Sequence, residues 1–180
     1  MKTLLSGLAV LSLGLLAQPA LAAEKTIAIH AISATGMGES IGTITAKDSP
    51  QGLLLTPKLT KLAPAGPHGF HMHEKPDCGP GPNPAANNQV AAGFAAGGHY
   101  DPKKTGLHHG PGHKEGHVGD LPVLVVDGNG MATLPMVVPH LKVRDLAGRS
   151  LMIHAGGDNY ADTPAPLGGG GGRIACGVVK

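Results

Sequence analysis

The sequence predicts an all-β domain, an antiparallel sandwich or barrel that carries its function on loops. Eight short segments read as strands, each bounded by Gly, Pro, Asn or Asp turn signals. No stretch beyond residue 23 places apolar residues at helical spacing over a helix of ordinary length. The stretch richest in chemistry, His68 to Asp120, is interleaved with Gly and Pro that deny it any long helix.

Residues 1–23 are set aside first. Lys2 supplies a positive start, Leu4 to Leu16 an apolar run, and Ala20-Leu21-Ala22 a small-residue cleavage signal, so export is expected with cutting after Ala22 or Ala23. The apolar run is short and interrupted by Gly and Ser, and no Cys near the cut could take a lipid. No membrane anchor is expected after cleavage. Residues 24–180 then form one domain, long enough to bury a core. The whole chain carries 14 basic and 12 acidic residues, a balance that points to no partner. With no Trp, two Phe and two Tyr, it lacks an aromatic platform for nucleic acid.

In the domain, Thr26 to Ile32 carries Ile27 and Ile29 on one face, as a half-buried strand does. Ile41 to Ala46, the turn cluster Lys47 to Gly52, and Leu53 to Thr56 read as a hairpin. Pro64 to Pro67 breaks the chain before a strand at Gly69 to His73. Leu121 to Val126 and Met131 to Val138 flank the turn Asp127-Gly-Asn-Gly130 and read as a second hairpin. His140 to Arg149 reads as a crossing connection. Ser150 to His154 is a strand, Ala155 to Gly172 a long loop ending in five glycines, and Arg173 to Val179 the last strand.

Eight of the 11 histidines fall between His68 and His117. On a strand, His71 and His73 share a face and Met72 opposes them, so two imidazoles can serve one ion. Alone, the pair reads more readily as solvated or hydrogen-bonded histidines on a strand. Residues 79–120 show no secondary structure, and so long a loop needs pinning in a compact domain. His99, His108, His117 and Asp120 make a complete four-coordinate zinc set. The competing reading is a disordered Gly/Pro/His insertion. Cys78 and Cys176, the only cysteines in an exported chain, are expected to form a disulfide.

The motifs His68-Gly-Phe-His71-x-His73-Glu, Gly98-His99-Tyr-Asp-Pro, His108-x-Gly-Pro, Gly116-His117-x-Gly-Asp-Leu-Pro122, His154 and Gly171-Gly-Arg173-x-Ala-Cys176-Gly-Val resemble, in order, those of the copper/zinc superoxide dismutases. The likeness is to the exported bacterial branch. It implies an eight-stranded, immunoglobulin-like Greek-key β-barrel with long metal-binding and active-site loops. It also implies one copper and one zinc per subunit, superoxide as the small anionic substrate, a periplasmic location, and a monomer or homodimer. His71, His73, His99 and His154 would be copper ligands. His99, shared between both metals, would also carry a proton, and His108, His117 and Asp120 would complete the zinc shell. Asp158 would link a copper ligand to a zinc ligand from outside, and Arg173 would dock superoxide. Lys103, Lys104 and Lys114 are candidates for steering it inward. A non-catalytic periplasmic copper/zinc-binding protein on the same scaffold is the alternative. His68 resembles a structural histidine of the family, while His30, His109, His113 and His140 match no ligand position.

The register of the zinc set is testable, because His109 adjoins His108. Substituting each with Ala and counting retained zinc should show loss with His108; loss only with His109 would shift the register by one.

Overall fold

Alternation of apolar and polar residues builds the first half of the sheet. The computed structural model describes residues 22–180, so the expected signal segment lies outside the described residues except for Ala22 and Ala23. Strand β1 (Glu24–Ser33) buries Ile27 and Ile29, and β2 (Gly36–Ser49) and β3 (Gly52–Leu59) continue the antiparallel meander. One extra residue on β2, between the pairs Ile29–Gly42 and His30–Ser40, shifts the register. Through that bulge Ile41 and Ile44, three apart, both point inward.

The expected strand at Gly69 to His73 is one half of a run divided at Gly69 into β4 (Gly66–His68) and β5 (Phe70–His73). Later strands are β8 (Leu124–Val126), β9 (Met136–Val138), β10 (Arg149–His154) and β11 (Arg173–Val179). The main sheet runs β5-β10-β11-β1-β2-β3-β9, and β4 pairs with β8. Counting β4 and β5 as one strand, eight strands curl around a core that includes Ile29, Ile44, Leu55, Phe70, Leu124 and Leu151. Each such side chain contributes about 1.5–3 kcal/mol on burial. The chain crosses from β3 to β4 and later returns to lay β9 beside β3, the long connections of a Greek key.

Two expectations are corrected. Leu121–Val126 and Met131–Val138 do not pair as a hairpin: β8 goes to β4 and β9 to β3. The turn between them does form, with Asp127 Oδ1 accepting from the amides of Asn129 and Met131. The tight turn suits both arrangements, and burial of the two faces against different strands decides between them. Residues 79–120 are not free of secondary structure, because β6 (Gly81–Asn83) and β7 (Gln89–Ala91) form a small hairpin. The connection after His140 holds a short 3-10 turn at Val143–Leu146.

Cys78 and Cys176 are bonded, with Cα atoms 5.7 Å apart across a separation of 98 residues. The bond ties the loop after β5 to the middle of β11. Cys78→Ser with Cys176→Ser should lower unfolding stability by about 2–5 kcal/mol, read from denaturant midpoints at fixed metal content.

Candidate metal centre

The loop that follows β5 folds back along it, and this brings distant histidines together. The Met72 amide donates to the Gly119 carbonyl at 2.9 Å, while the Met72 carbonyl accepts from the Tyr100 amide at 2.8 Å. The Glu74 amide donates to Gly98 O at 3.1 Å. Two loop segments therefore lie against one short strand, opposing His73 to His99 and His71 to Asp120. The approach at Gly119 leaves no room for a side chain, since a Cβ there would strike the Met72 carbonyl. On the other side of β5, the β10–β11 register slips between Ile153 and His154, which sets His154 opposite Arg173.

Six imidazoles and one carboxylate, none more than 7% exposed, meet in the resulting space. His71, His73, His99 and His154 each offer a ring nitrogen within 4.8 Å of the other three. Nδ1 atoms of His99 and His108 lie 3.0 Å from Asp120 Oδ1, and that of His117 lies 3.3 Å from it. One carboxylate oxygen thus gathers three imidazoles, and the His71 and His99 rings stack at 3.9 Å between the two groups.

Outer hydrogen bonds decide which nitrogen of each ring is free. His71 Nε2 donates to Asp158 Oδ2 and His108 Nε2 to Asp158 Oδ1, both at 2.8 Å. His73 Nδ1 donates to Gly97 O at 3.0 Å, and His154 Nδ1 to Gly171 O at 3.3 Å. A neutral imidazole that donates from one nitrogen keeps a lone pair on the other. Those other atoms, His71 Nδ1, His73 Nε2, His108 Nδ1 and His154 Nε2, are all buried without a hydrogen-bond partner. His108 Nδ1 is close to Asp120 but out of line for a hydrogen bond. Four buried, inward-facing lone pairs fit cation binding, and the all-imidazole and imidazole-carboxylate donor sets suit copper and zinc. By distance His71 also falls among His99, His108 and Asp120, yet its single free nitrogen can serve only one ion.

Electrostatics agree with neutral donors at His71, His73, His99 and His154, whereas His108, between two carboxylates, holds a proton that a bound cation would displace. Burial holds His73 and His154 well below the usual imidazole range, with neighbouring imidazoles adding to it. Burial and nearby His71 bring His99 down to about 3, and burial lowers His71 although Asp158 opposes it. For His108 burial works downward too, but the carboxylates of Asp120 and Asp158 outweigh it and push it up to about 9. Burial would raise both of those carboxyls, yet their imidazole contacts hold them far below the carboxylate range.

Arg173 is carried by the strand that follows the glycine run. Its guanidinium donates to Gly93 O at 2.8 Å and Gly97 O at 2.9 Å, and lies 4.0 Å over the Phe94 ring. Burial lowers it to about 10, so it stays a cation at neutral pH. With His99 and His154 it lines an open cavity of about 420 Å³. Sequence reasoning missed Gly93, Phe94 and Gly97, which hold the arginine; carbonyl acceptors leave no side-chain signal. It also missed Asp162, whose carboxylate accepts from the His108 amide at 2.9 Å.

The remaining candidates sit outside the cluster. His68 nitrogens lie 2.7 Å from His154 O and 2.8 Å from Pro64 O, joining two loops. His109 turns its ring outward against His113, at 4.7 Å, while its amide donates to Asp120 Oδ2. His30 and His140 meet backbone carbonyls of Gly38 and Val118. Lys103 and Lys114 line a different cavity from Arg173, and Lys104 is exposed.

A family model described as copper/zinc superoxide dismutase (SODC) matches residues 40–179. The chain belongs to that family. It is 51% identical over 161 residues to superoxide dismutase [Cu-Zn] 1 of Salmonella typhimurium, covering 88% of this chain and 89% of that one. With superoxide dismutase [Cu-Zn] of Brucella abortus it shares 46% over 167 residues, covering 92% and 94%. Among solved structures, the Cu/Zn superoxide dismutase from Brucella abortus superposes with a TM-score of 0.83 at 44% identity, over 88% of this chain and 100% of that one. The monomeric enzyme from Salmonella enterica gives a TM-score of 0.77 at 48% identity, again over 88% and 100%.

The pH response of the metal-free dismutase follows from these shifts. His71, His73, His99 and His154 are held neutral when folded but take protons when unfolded below 6.5, so stability is lost as pH falls from there. His108 keeps its proton up to about 9 in the fold, so its contribution is present below 6.5 and lost as pH rises through 9. Denaturant midpoints of metal-stripped protein should peak near pH 6.5 and fall more steeply on the acid side. A flat profile would contradict the buried neutral imidazoles.

Proposed function

We propose that this chain is an exported superoxide dismutase in which His71, His73, His99 and His154 hold copper and His99, His108, His117 and Asp120 hold zinc. The carrying observation is the set of four buried ring nitrogens whose rings are each fixed through the opposite nitrogen. Bound copper supplies the alternating one-electron oxidation and reduction that turn two superoxide ions into O₂ and H₂O₂, while zinc, without redox chemistry, is structural.

The protein's own groups do the rest. Arg173 presents a charged planar donor in the cavity beside His99 and His154, where it draws in and orients a small anion. His99 keeps Nδ1 toward Asp120, which leaves Nε2 to hold a proton and pass it to the departing peroxide. Asp158 fixes the tautomers of His71 and His108 together, so the two metal positions share one outer acceptor.

Export with removal of residues 1–23 and residence in the periplasm fit the charged, apolar and small-residue pattern of that segment. The relatives named above are bacterial, and the one from Salmonella enterica is monomeric. Every candidate ligand comes from one chain, so a monomer and a homodimer would carry the same site.

Metal content and superoxide consumption measured together test the reading. Wild-type protein should hold both metals and turn over, and His154→Ala should lose copper and activity while keeping zinc. Arg173→Gln should keep both metals and lose about 10- to 100-fold in kcat/KM, as expected for one charge-assisted contact. Wild-type protein that holds both metals but leaves superoxide untouched would make it a metal-binding protein without turnover.

A further inference from the structure

A second concave region lies on the outer side of the metal loop. A cavity of about 360 Å³ is lined by Tyr100, Val118, His140, Arg144 and Arg149, with Asp145. An adjoining one of about 240 Å³ is lined by Lys103, His113, Lys114 and, again, Val118 and His140. Through these shared walls the two form one groove. It has no lining residue in common with the cavity of His99, His154 and Arg173.

The groove gathers charge that the chain as a whole does not have. Of 14 lysines and arginines against 12 acidic residues overall, four cations line it against the single carboxylate of Asp145. That carboxylate is already engaged, accepting from the Lys142 amide at 2.8 Å and lying 3.9 Å from Arg144 Nε. Lys103 Nζ donates to Lys114 O at 3.3 Å, which holds one ammonium beside the other lysine.

Arg149 is held at the wall of the groove by two contacts. Its guanidinium lies 3.7 Å over the Tyr100 ring and donates through one terminal nitrogen to Glu74 O at 3.2 Å. Its Nε is buried with no acceptor. The residue as a whole is half-buried and lines the cavity, so the other terminal nitrogen, which has no partner among the described residues, is the donor left for an anion. Tyr100, the aromatic residue of the groove, has one face covered by Arg149 and packs against the core, which disfavours stacking of a nucleobase.

We propose that this groove binds an oligophosphate-class anion, two or more linked or clustered phosphoryl groups held by Arg149 and Arg144 at one end and Lys103 and Lys114 at the other. A guanidinium at one end and ammonium groups at the other match phosphoryl oxygens spread over both cavities. The same chemistry occurs in soluble oligophosphate and in phosphomonoester headgroups of a lipid surface.

The test titrates metal-loaded protein with tripolyphosphate at low ionic strength in a calorimeter, and sediments it with phosphatidylcholine vesicles made with and without phosphatidic acid. Saturable binding of tripolyphosphate is expected, weakened about tenfold by Arg149→Gln and by Lys114→Gln and unchanged by Lys61→Gln, whose side chain pairs with Glu39 outside the groove. Retention on phosphatidic acid vesicles that the same two substitutions abolish would assign the lipid source; tripolyphosphate binding without retention would assign the soluble one. Lys114 is exposed, so its substitution decides the matter if the Arg149 variant does not fold. Absence of saturable binding in both arms, or equal binding by all variants, as metal extraction by the titrant would give, overturns the proposal.

Discussion

Burying a ring nitrogen without a partner costs roughly 1–3 kcal/mol, and this protein does so at four neighbouring atoms. In the fold alone that expense has no return. It becomes intelligible once the four lone pairs are read as the inner surface of a cation site, since coordination supplies the partner that the protein withholds. The rest of the architecture keeps those rings from turning away. Asp158 fixes two of them, the carbonyls of Gly97 and Gly171 fix two more, and Asp120 gathers three Nδ1 atoms at one oxygen.

Holding such a cluster requires backbone approaches that few residues permit. Gly119 lies against Met72, and Gly168, at φ +72, faces Asp158 and His108 where a Cβ would collide with both. The disulfide anchors the loop near its start, and the pairings of Tyr100 and Gly119 with Met72 anchor its second half. The second half of this loop thereby gains main-chain partners almost as a strand does, which is why it is ordered beyond the small β6–β7 hairpin. Gly97 O accepts from both His73 and Arg173, so one carbonyl positions a candidate ligand and the candidate docking cation together.

The two basic concavities differ in kind. Around Arg173 the walls are Phe94, Pro84 and Leu167, and a single half-buried guanidinium stands beside the buried imidazoles of His99 and His154. Around Arg149 several cations are spread over a longer groove with no metal candidate among them. Under the two proposals, charge of the same sign would serve separate ends because its surroundings differ in burial and extent.

By itself the sequence determined the strands and the residue types of the site. Period-two alternation put His71 and His73 on one side of a strand, turn residues divided eight strands, and two cysteines in a chain expected to be exported implied their bond. Those signals are local, or depend on counting. Tertiary structure alone decided which strands pair: β8 with β4 and β9 with β3, against the hairpin that Asp127-Gly-Asn-Gly130 suggested. It alone decided which nitrogen of each histidine is free, because that depends on acceptors such as Gly97 O, Gly171 O and Asp158, contributed from 17 to 87 residues away. Backbone carbonyls carry no residue code, so a cage built in part from them becomes visible only when the chain has closed on itself.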